Sequence, residues 1–71
     1  MNNKDSINQL ETIISDGILY FEEEGLFSYV KEYSETLANI FYQLEDFKNS
    51  SKYFRSAYIA AEKLKQKELL K

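Results

Sequence analysis

The chain has 71 residues, so it holds one small domain at most, and domains of this size bury only a modest fraction of their surface. It contains no cysteine and no histidine, which excludes disulfides, thiol nucleophiles, imidazole acid–base catalysis and the usual zinc sites. The formal net charge of −3 disfavours nucleic acid as a partner, because an acidic surface repels phosphate.

The first predicted element is a helix over about residues 6–24. Ser6 and Gln9 have the spacing of a capping box, and Gly25 is placed to end the helix in the left-handed conformation. Gly17 lies inside this helix, where glycine costs about 1 kcal/mol relative to alanine, so we expect a neighbouring helix to approach closely there. Apolar side chains recur on one face at steps of three and four residues: Ile7, Leu10, Ile14, Ile18 and Phe21.

The second predicted helix covers about residues 26–44. Its apolar stripe consists of Leu26, Val30, Tyr33, Leu37, Ile40 and Leu44. Tyr29, Phe41 and Tyr42 widen this stripe beyond a single seam. Because a helix that is apolar over so much of its circumference needs more than one neighbour, we expect it to pack between two others.

The third predicted helix covers about residues 47–69, and Asp46 is placed to cap its amino terminus. Small side chains on both helices, such as Ala38 on the second, allow their backbones to approach. Phe41, Phe54 and Tyr58 are predicted to fill the space around Ala38. We expect the inward face of the third helix to consist of Phe47, Ser50, Phe54, Ala57, Ala61 and Leu64. The whole chain, residues 1–71, is then a single all-α domain of three helices.

The spacing of small and aromatic side chains in SETLANIFYQLEDFKNSSKYFRSAYIAAE, residues 34–62, resembles a tetratricopeptide repeat (TPR), a pair of antiparallel helices. The longer stretch ISDGILYFEEEGLFSYVKEYSETLANIFYQLEDFKNSSKYFRSAY is similar to the C-terminal repeats of the Rap family of response regulator aspartate phosphatases. This resemblance implies a fragment of an α-α superhelix, a TPR-like hairpin with a preceding helix. It also implies binding of short secreted signalling peptides, as in bacterial quorum sensing.

The resemblance does not extend to an effector domain. Rap proteins carry an amino-terminal three-helix bundle that acts on the response regulator, and related peptide-sensing transcription factors carry a helix-turn-helix. We find a counterpart of neither in this sequence, so we expect a truncated, noncatalytic Rap-like protein. The alternative is a regulatory piece of a response regulator aspartate phosphatase.

Five side chains on the second predicted helix form the predicted peptide-binding site. Asn39 matches the position where such repeats often place a peptide-holding asparagine, and its amide offers both a donor and an acceptor. An aromatic ring and two carboxylates could add a flat contact surface and attraction for a cationic group. The predicted set is Glu32, Glu35, Asn39, Tyr42 and Gln43, and the alternative is an ordinary polar helix face.

No catalytic residue, metal ligand or cofactor site is predicted. The consecutive Glu22, Glu23 and Glu24 point in different directions from a helix end, and no phosphate-binding glycine loop or nucleophile elbow is present. We therefore expect the chain not to be an enzyme, and to bind a peptide or protein.

The amino terminus MNNKDSINQ is polar, and no apolar run reaches the length of a membrane span. We therefore expect a cytoplasmic protein without a membrane partner.

Charge is unevenly distributed along the chain. Residues 1–46 carry ten acidic and two basic groups, a balance of −8, whereas residues 47–71 carry two acidic and seven basic groups, a balance of +5. One interpretation is a set of solvated helix faces. Another is head-to-tail or antiparallel self-association, which would bring Lys63, Lys65, Lys67 and Lys71 near Glu22, Glu23 and Glu24. Because a hairpin resembling part of a solenoid leaves apolar surface uncovered, we expect a homo-oligomer, with the first or second helix packed on its symmetry mate.

Overall fold

The structure, a computed structural model, describes residues 3–69. It is all-α, with no strand in that range, which confirms the predicted fold class. Three helices follow one another: α1 (Asn3–Glu23), α2 (Phe27–Gln43) and α3 (Phe47–Leu69). The second and third helices lie within one residue of their predicted bounds. The first begins three residues earlier than predicted, so Ser6 lies inside α1 and the proposed capping box is wrong.

α2 is the central helix of the fold. Both α1 and α3 pack on it, whereas their backbones do not approach each other closely. The Cα atoms extend over 50 × 21 × 13 Å with a radius of gyration of 13.2 Å. A compact domain of this length has a radius of about 11 Å, so the protein is an elongated layer of helices. The expectation that the middle helix has two neighbours is confirmed.

The connection between α1 and α2 is a Schellman turn. The amide of Leu26 donates to the carbonyl of Phe21 over 2.8 Å, and the amide of Gly25 donates to that of Glu22 over 3.1 Å. Gly25 has a φ of 72°, the left-handed conformation that glycine adopts without a Cβ penalty. The predicted role of Gly25 is confirmed.

The connection between α2 and α3 repeats this hydrogen-bond pattern without a glycine. The backbone amide of Asp46 donates to the carbonyl of Phe41 over 2.9 Å, and the backbone amide of Glu45 donates to the carbonyl of Tyr42 over 3.0 Å. Glu45 takes the left-handed position with a φ of 62°, which strains a residue that carries a Cβ.

Asp46 caps α3, as the sequence predicts. Its Oδ1 accepts from the amide of Asn49 over 3.3 Å, and its Oδ2 accepts from the Asn49 side-chain amide over 2.9 Å. At the corresponding position before α2, Leu26 provides no side-chain hydrogen bond. The free backbone amides in the first turn of α3 therefore have a side-chain hydrogen-bond acceptor, whereas Leu26 offers none to those of α2.

The core lies where α2 faces its two neighbours. Ala38 is fully buried and Leu37 is 1% exposed, which confirms both as packing residues of α2. The ring of Phe41 stacks on that of Tyr53 with centroids 5.9 Å apart. The main buried cluster consists of Ile18, Val30, Leu37, Ala38, Phe41, Tyr53 and Ala60, with Ile7, Ile14, Phe21, Phe27 and Ile40 packed against it.

Part of the predicted inward face of α3 is wrong. Phe54 is 43% exposed and Tyr58 66%, and neither fills the space around Ala38. The helix is rotated so that Tyr53 and Ala60 are buried in addition to Ser50 and Ala57, while Phe47 is exposed. Tyr53 is preferred inside because its ring stacks on Phe41.

The apolar stripes of α1 and α2 are narrower than the sequence suggests. Leu10 on α1 and Leu26, Tyr33 and Leu44, which border or lie on α2, are all at least 40% exposed. The buried face of α2 instead includes Ser34, which periodicity of apolar residues does not detect.

Gly17 is not a point of close helix approach. A Cβ built on Gly17 would meet no atom within 4 Å, so the expected tight contact is absent. Two serines do lie at the α2–α3 interface. The Ser50 hydroxyl donates to the carbonyl of Ala38 over 2.9 Å, whereas the buried Ser34 hydroxyl has no hydrogen-bond partner among the described residues.

Candidate interaction surfaces

The five predicted peptide-binding residues lie on the side of α2 that is turned away from the core. Glu32, Asn39, Tyr42 and Gln43 are exposed, and Glu35 is half-buried. Helical spacing places them on one broad face, but they do not converge on a pocket. The face is therefore a surface for contact rather than a cleft.

Neighbouring groups modify this face. The Lys31 ammonium lies 2.9 Å from Oε1 of Glu35, a half-buried pair one helical turn apart. The charge of Glu35 is therefore partly balanced, whereas Glu32 has more negative charge to offer a ligand. The Tyr42 ring contacts the Phe47 ring edge to face, with centroids 5.6 Å apart. Asn39 and Gln43 border a shallow hollow of about 340 Å³ beside Ile7, Ile40 and Leu44.

A groove runs between α1 and α3, and sequence reasoning did not identify it. It includes a hollow with a volume of about 470 Å³. Glu11 and Glu22 lie on the α1 wall, and Lys52 lies on the α3 wall. The two walls therefore carry opposite charges, and the groove presents small polar side chains between them: Thr12, Ser15 and Ser56.

One hydrogen bond crosses the groove. The Tyr53 hydroxyl donates to Oε2 of Glu11 over 2.7 Å. Burial, the hydrogen bond to Glu11 and the negative charge of Glu11 together raise the pKa of Tyr53 from 10.0 to about 12. Tyr53 is thus a neutral donor at physiological pH, unsuited to act as a base.

The groove narrows toward the turn between α1 and α2. A smaller hollow of about 80 Å³ lies there, bordered by Glu22, Val30 and Lys63 among others. The Lys63 ammonium sits 4.9 Å from the centre of the Phe27 ring, a cation–π contact. The sequence gives no direct signal for the groove, because Glu11 and Tyr53 are 42 residues apart and belong to helices that do not pack together.

Two apolar flanks lie uncovered on the sides of α1 and α3 that face away from the groove. The α3 flank consists of Phe47, Phe54 and Tyr58, with Tyr42 of α2 beside it, and these rings are between 43% and 66% exposed. The α1 flank consists of Leu10, Ile13, Gly17 and Tyr20, of which the three large side chains are 41% to 70% exposed. Exposed apolar surface of this extent usually marks an interaction site.

Among residues 3–69, no group of three or more acidic, histidine or cysteine side chains is arranged to hold a metal ion. Over the same range, none of the helices combines the length and the apolar character that crossing a bilayer requires.

Comparison with known proteins adds no identification: this chain matches no family model, no curated protein and no solved structure.

Proposed function

We propose that this chain is a noncatalytic interaction module of the TPR type that binds a peptide or protein partner. One observation carries the proposal: thirteen large apolar side chains within the described part of the chain are 40% to 70% exposed. A small helical layer that exposes so many apolar groups is suited to contact another chain.

The exposed face of α2 is the proposed peptide site. The Asn39 amide can donate to a peptide carbonyl and accept from a peptide amide, and the half-exposed Tyr42 ring provides a flat apolar contact beside it. Glu32 provides attraction for a cationic group, since Glu35 is already paired with Lys31. A short extended peptide with a basic residue fits this chemistry. The Rap-like resemblance supports the same kind of ligand.

Calorimetry against a panel of short cationic peptides tests this site. We expect Asn39→Ala to weaken binding by about tenfold or more, which corresponds to about 1.4 kcal/mol. Glu32→Gln should weaken binding of basic peptides and leave neutral peptides unaffected. Gln66→Ala is the matched control, because it removes an exposed side-chain amide from α3 that does not border the hollow beside Asn39 and Gln43.

Two results would contradict the assignment. If neither the wild type nor any variant binds any peptide of the panel, peptide recognition is wrong. If Leu19→Asp in the groove abolishes binding while Asn39→Ala has no effect, the peptide occupies the α1–α3 groove instead.

A further inference from the structure

We propose that copies of this chain associate head to tail, with the α3 flank of one copy packed on the α1 flank of the next. This inference uses the two edges of the layer and shares only Tyr42 with the proposed peptide site on α2. Each flank is a helical stripe. The rings of the α3 flank, Phe47, Phe54 and Tyr58, are spaced seven and four residues apart. The four residues of the α1 flank are spaced three, four and three residues apart.

The two edge helices carry opposite charge. α1 contains five acidic residues and one basic residue, a formal charge of −4. α3 contains six basic and two acidic residues, a formal charge of +4. α2 between them contributes only −1, from two acidic residues and one basic residue. The molecule is therefore acidic on its α1 side and basic on its α3 side, although Glu11, Glu22, Lys52 and Lys63 of these sets border the groove and not the flanks.

Charged side chains also border the apolar stripes themselves. On α1, Asp16 and Glu23 each follow a flank residue by three positions, Ile13 and Tyr20 respectively. On α3, Arg55 precedes Tyr58 by three positions, and Lys65 follows Tyr58 by seven. Helical spacing brings each of these charges next to the stripe on its own helix.

This distribution selects the geometry of association. A two-fold symmetric pair would place α1 on α1 or α3 on α3, and like charges would face each other along the interface. A head-to-tail contact instead joins the basic edge of one copy to the acidic edge of the next. The occupant of each flank is thus a second copy of this chain, in the head-to-tail geometry that the charge distribution suggests and not in the packing of the first or second helix on its symmetry mate.

Shape and area are consistent with this contact. Gly17 has no side chain between Ile13 and Tyr20, and an added Cβ there would meet nothing within 4 Å, so the surface at this point is open to a second copy. The four half-exposed rings of the α3 side present on the order of 400 Å² of apolar surface. That is about half of the ~800 Å² per partner that a typical stable interface buries, and the bordering charges enlarge the patch.

A head-to-tail contact does not close after two copies. Unless the rotation between copies happens to close a ring, each added copy leaves one free flank at either end. The mean mass should therefore rise continuously with concentration instead of stopping at a dimer. It should also fall as salt screens the charged borders.

Two half-blocked variants test the geometry. Ile13→Lys places a cation on the α1 flank, and Tyr58→Glu places an anion on the α3 flank. Both side chains are at least 66% exposed, so the fold of one copy should survive, which circular dichroism checks. Matched controls are Leu19→Lys and Ile59→Glu, which alter apolar residues that are 59% and 45% exposed on the groove side of the same helices.

Sedimentation velocity then gives distinct outcomes. We expect each half-blocked variant alone to be monomeric, and an equimolar mixture of the two to form a one-to-one dimer through the intact flanks. The two controls should assemble like the wild type. A wild type that stays monomeric at hundreds of micromolar, a range chosen to reveal weak association, would overturn the proposal. So would a half-blocked variant that dimerises alone, a folded mixture that does not pair, or assembly that is insensitive to salt.

Discussion

The Tyr53 hydroxyl of α3 donates a 2.7 Å hydrogen bond to Glu11 of α1, and so joins two helices whose backbones do not pack together. Tyr53→Phe keeps the ring that stacks on Phe41 but removes this link. We expect the free energy of unfolding to fall by about 1 kcal/mol, measured by urea denaturation. Tyr29→Phe is the control, since it removes a tyrosine hydroxyl from a half-exposed ring and should change stability little.

The raised pKa of Tyr53 predicts a loss of stability in alkali. The folded protein keeps the Tyr53 proton up to about pH 12, whereas a tyrosine in the unfolded chain loses it near pH 10. The folded state therefore binds more protons between these values, and stability falls as the pH rises through that window. The contribution is fully present below pH 10. Ultraviolet titration of tyrosinate should show a step near pH 12 for Tyr53, and Tyr53→Phe should lack that step.

The two buried serines between α2 and α3 should respond oppositely to alanine. Ser50→Ala removes the hydrogen bond to the Ala38 carbonyl and should lower the free energy of unfolding by about 1 kcal/mol. Ser34→Ala removes a buried hydroxyl that has no partner among the described residues and should raise it by about 1 kcal/mol. Both changes alter helix propensity in the same way, so their difference reports the hydrogen bonding. Equal effects in urea denaturation would contradict this account.

Substitutions in the two turns between helices should also change stability in opposite directions. Glu45 and Gly25 both hold left-handed backbone conformations in turns with the same hydrogen bonds. Glu45→Gly should raise the free energy of unfolding by about 1 kcal/mol by relieving strain, and Gly25→Ala should lower it by a similar amount. Thermal unfolding of both variants measures this. A destabilised Glu45→Gly would mean that the Glu45 side chain contributes more than its backbone costs.

Gly17→Ala should stabilise α1. The new Cβ meets nothing within 4 Å, and alanine is favoured over glycine inside a helix by about 1 kcal/mol. The measurement is thermal unfolding at concentrations low enough to keep the copies apart. If thermal stability does not rise, the glycine is required for a contact with another molecule and not for the fold of one copy.

Much of the helical architecture could be predicted from local signals. Gly25 and Asp46 mark the turns, and both perform the predicted roles because left-handed backbone and capping depend on neighbouring residues alone. The start of α1 was misplaced because Ser6 and Gln9 have capping-box spacing but the helix continues to Asn3.

The rotation of α3 could not be predicted from periodicity. Its apolar residues cover two overlapping stripes, one through Phe54 and one through Tyr53, and both include the small Ser50 and Ala57. Only the partner helices decide between them. Tyr53 lies inward because Phe41 and Glu11 are placed to receive it, and these contacts join distant parts of the chain.

For the candidate sites, too, the sequence could locate only what depends on spacing within one helix. The exposed face of α2 could be located from the sequence, since it depends on the spacing within one helix. The groove required knowledge of how α1 and α3 sit on α2. Whether Asn39 or the groove receives a ligand stays a prediction until binding is measured.

The opposite charges of α1 and α3 also give each molecule a permanent electric dipole across its width. A molecule with such a moment turns as it nears a charged body, so its basic side leads toward an anion and its acidic side toward a cation. At physiological ionic strength this orienting torque acts only over the last ~8 Å or so, the screening length of the solution. Encounters therefore begin with the molecule already aligned, before any apolar side chain is touched.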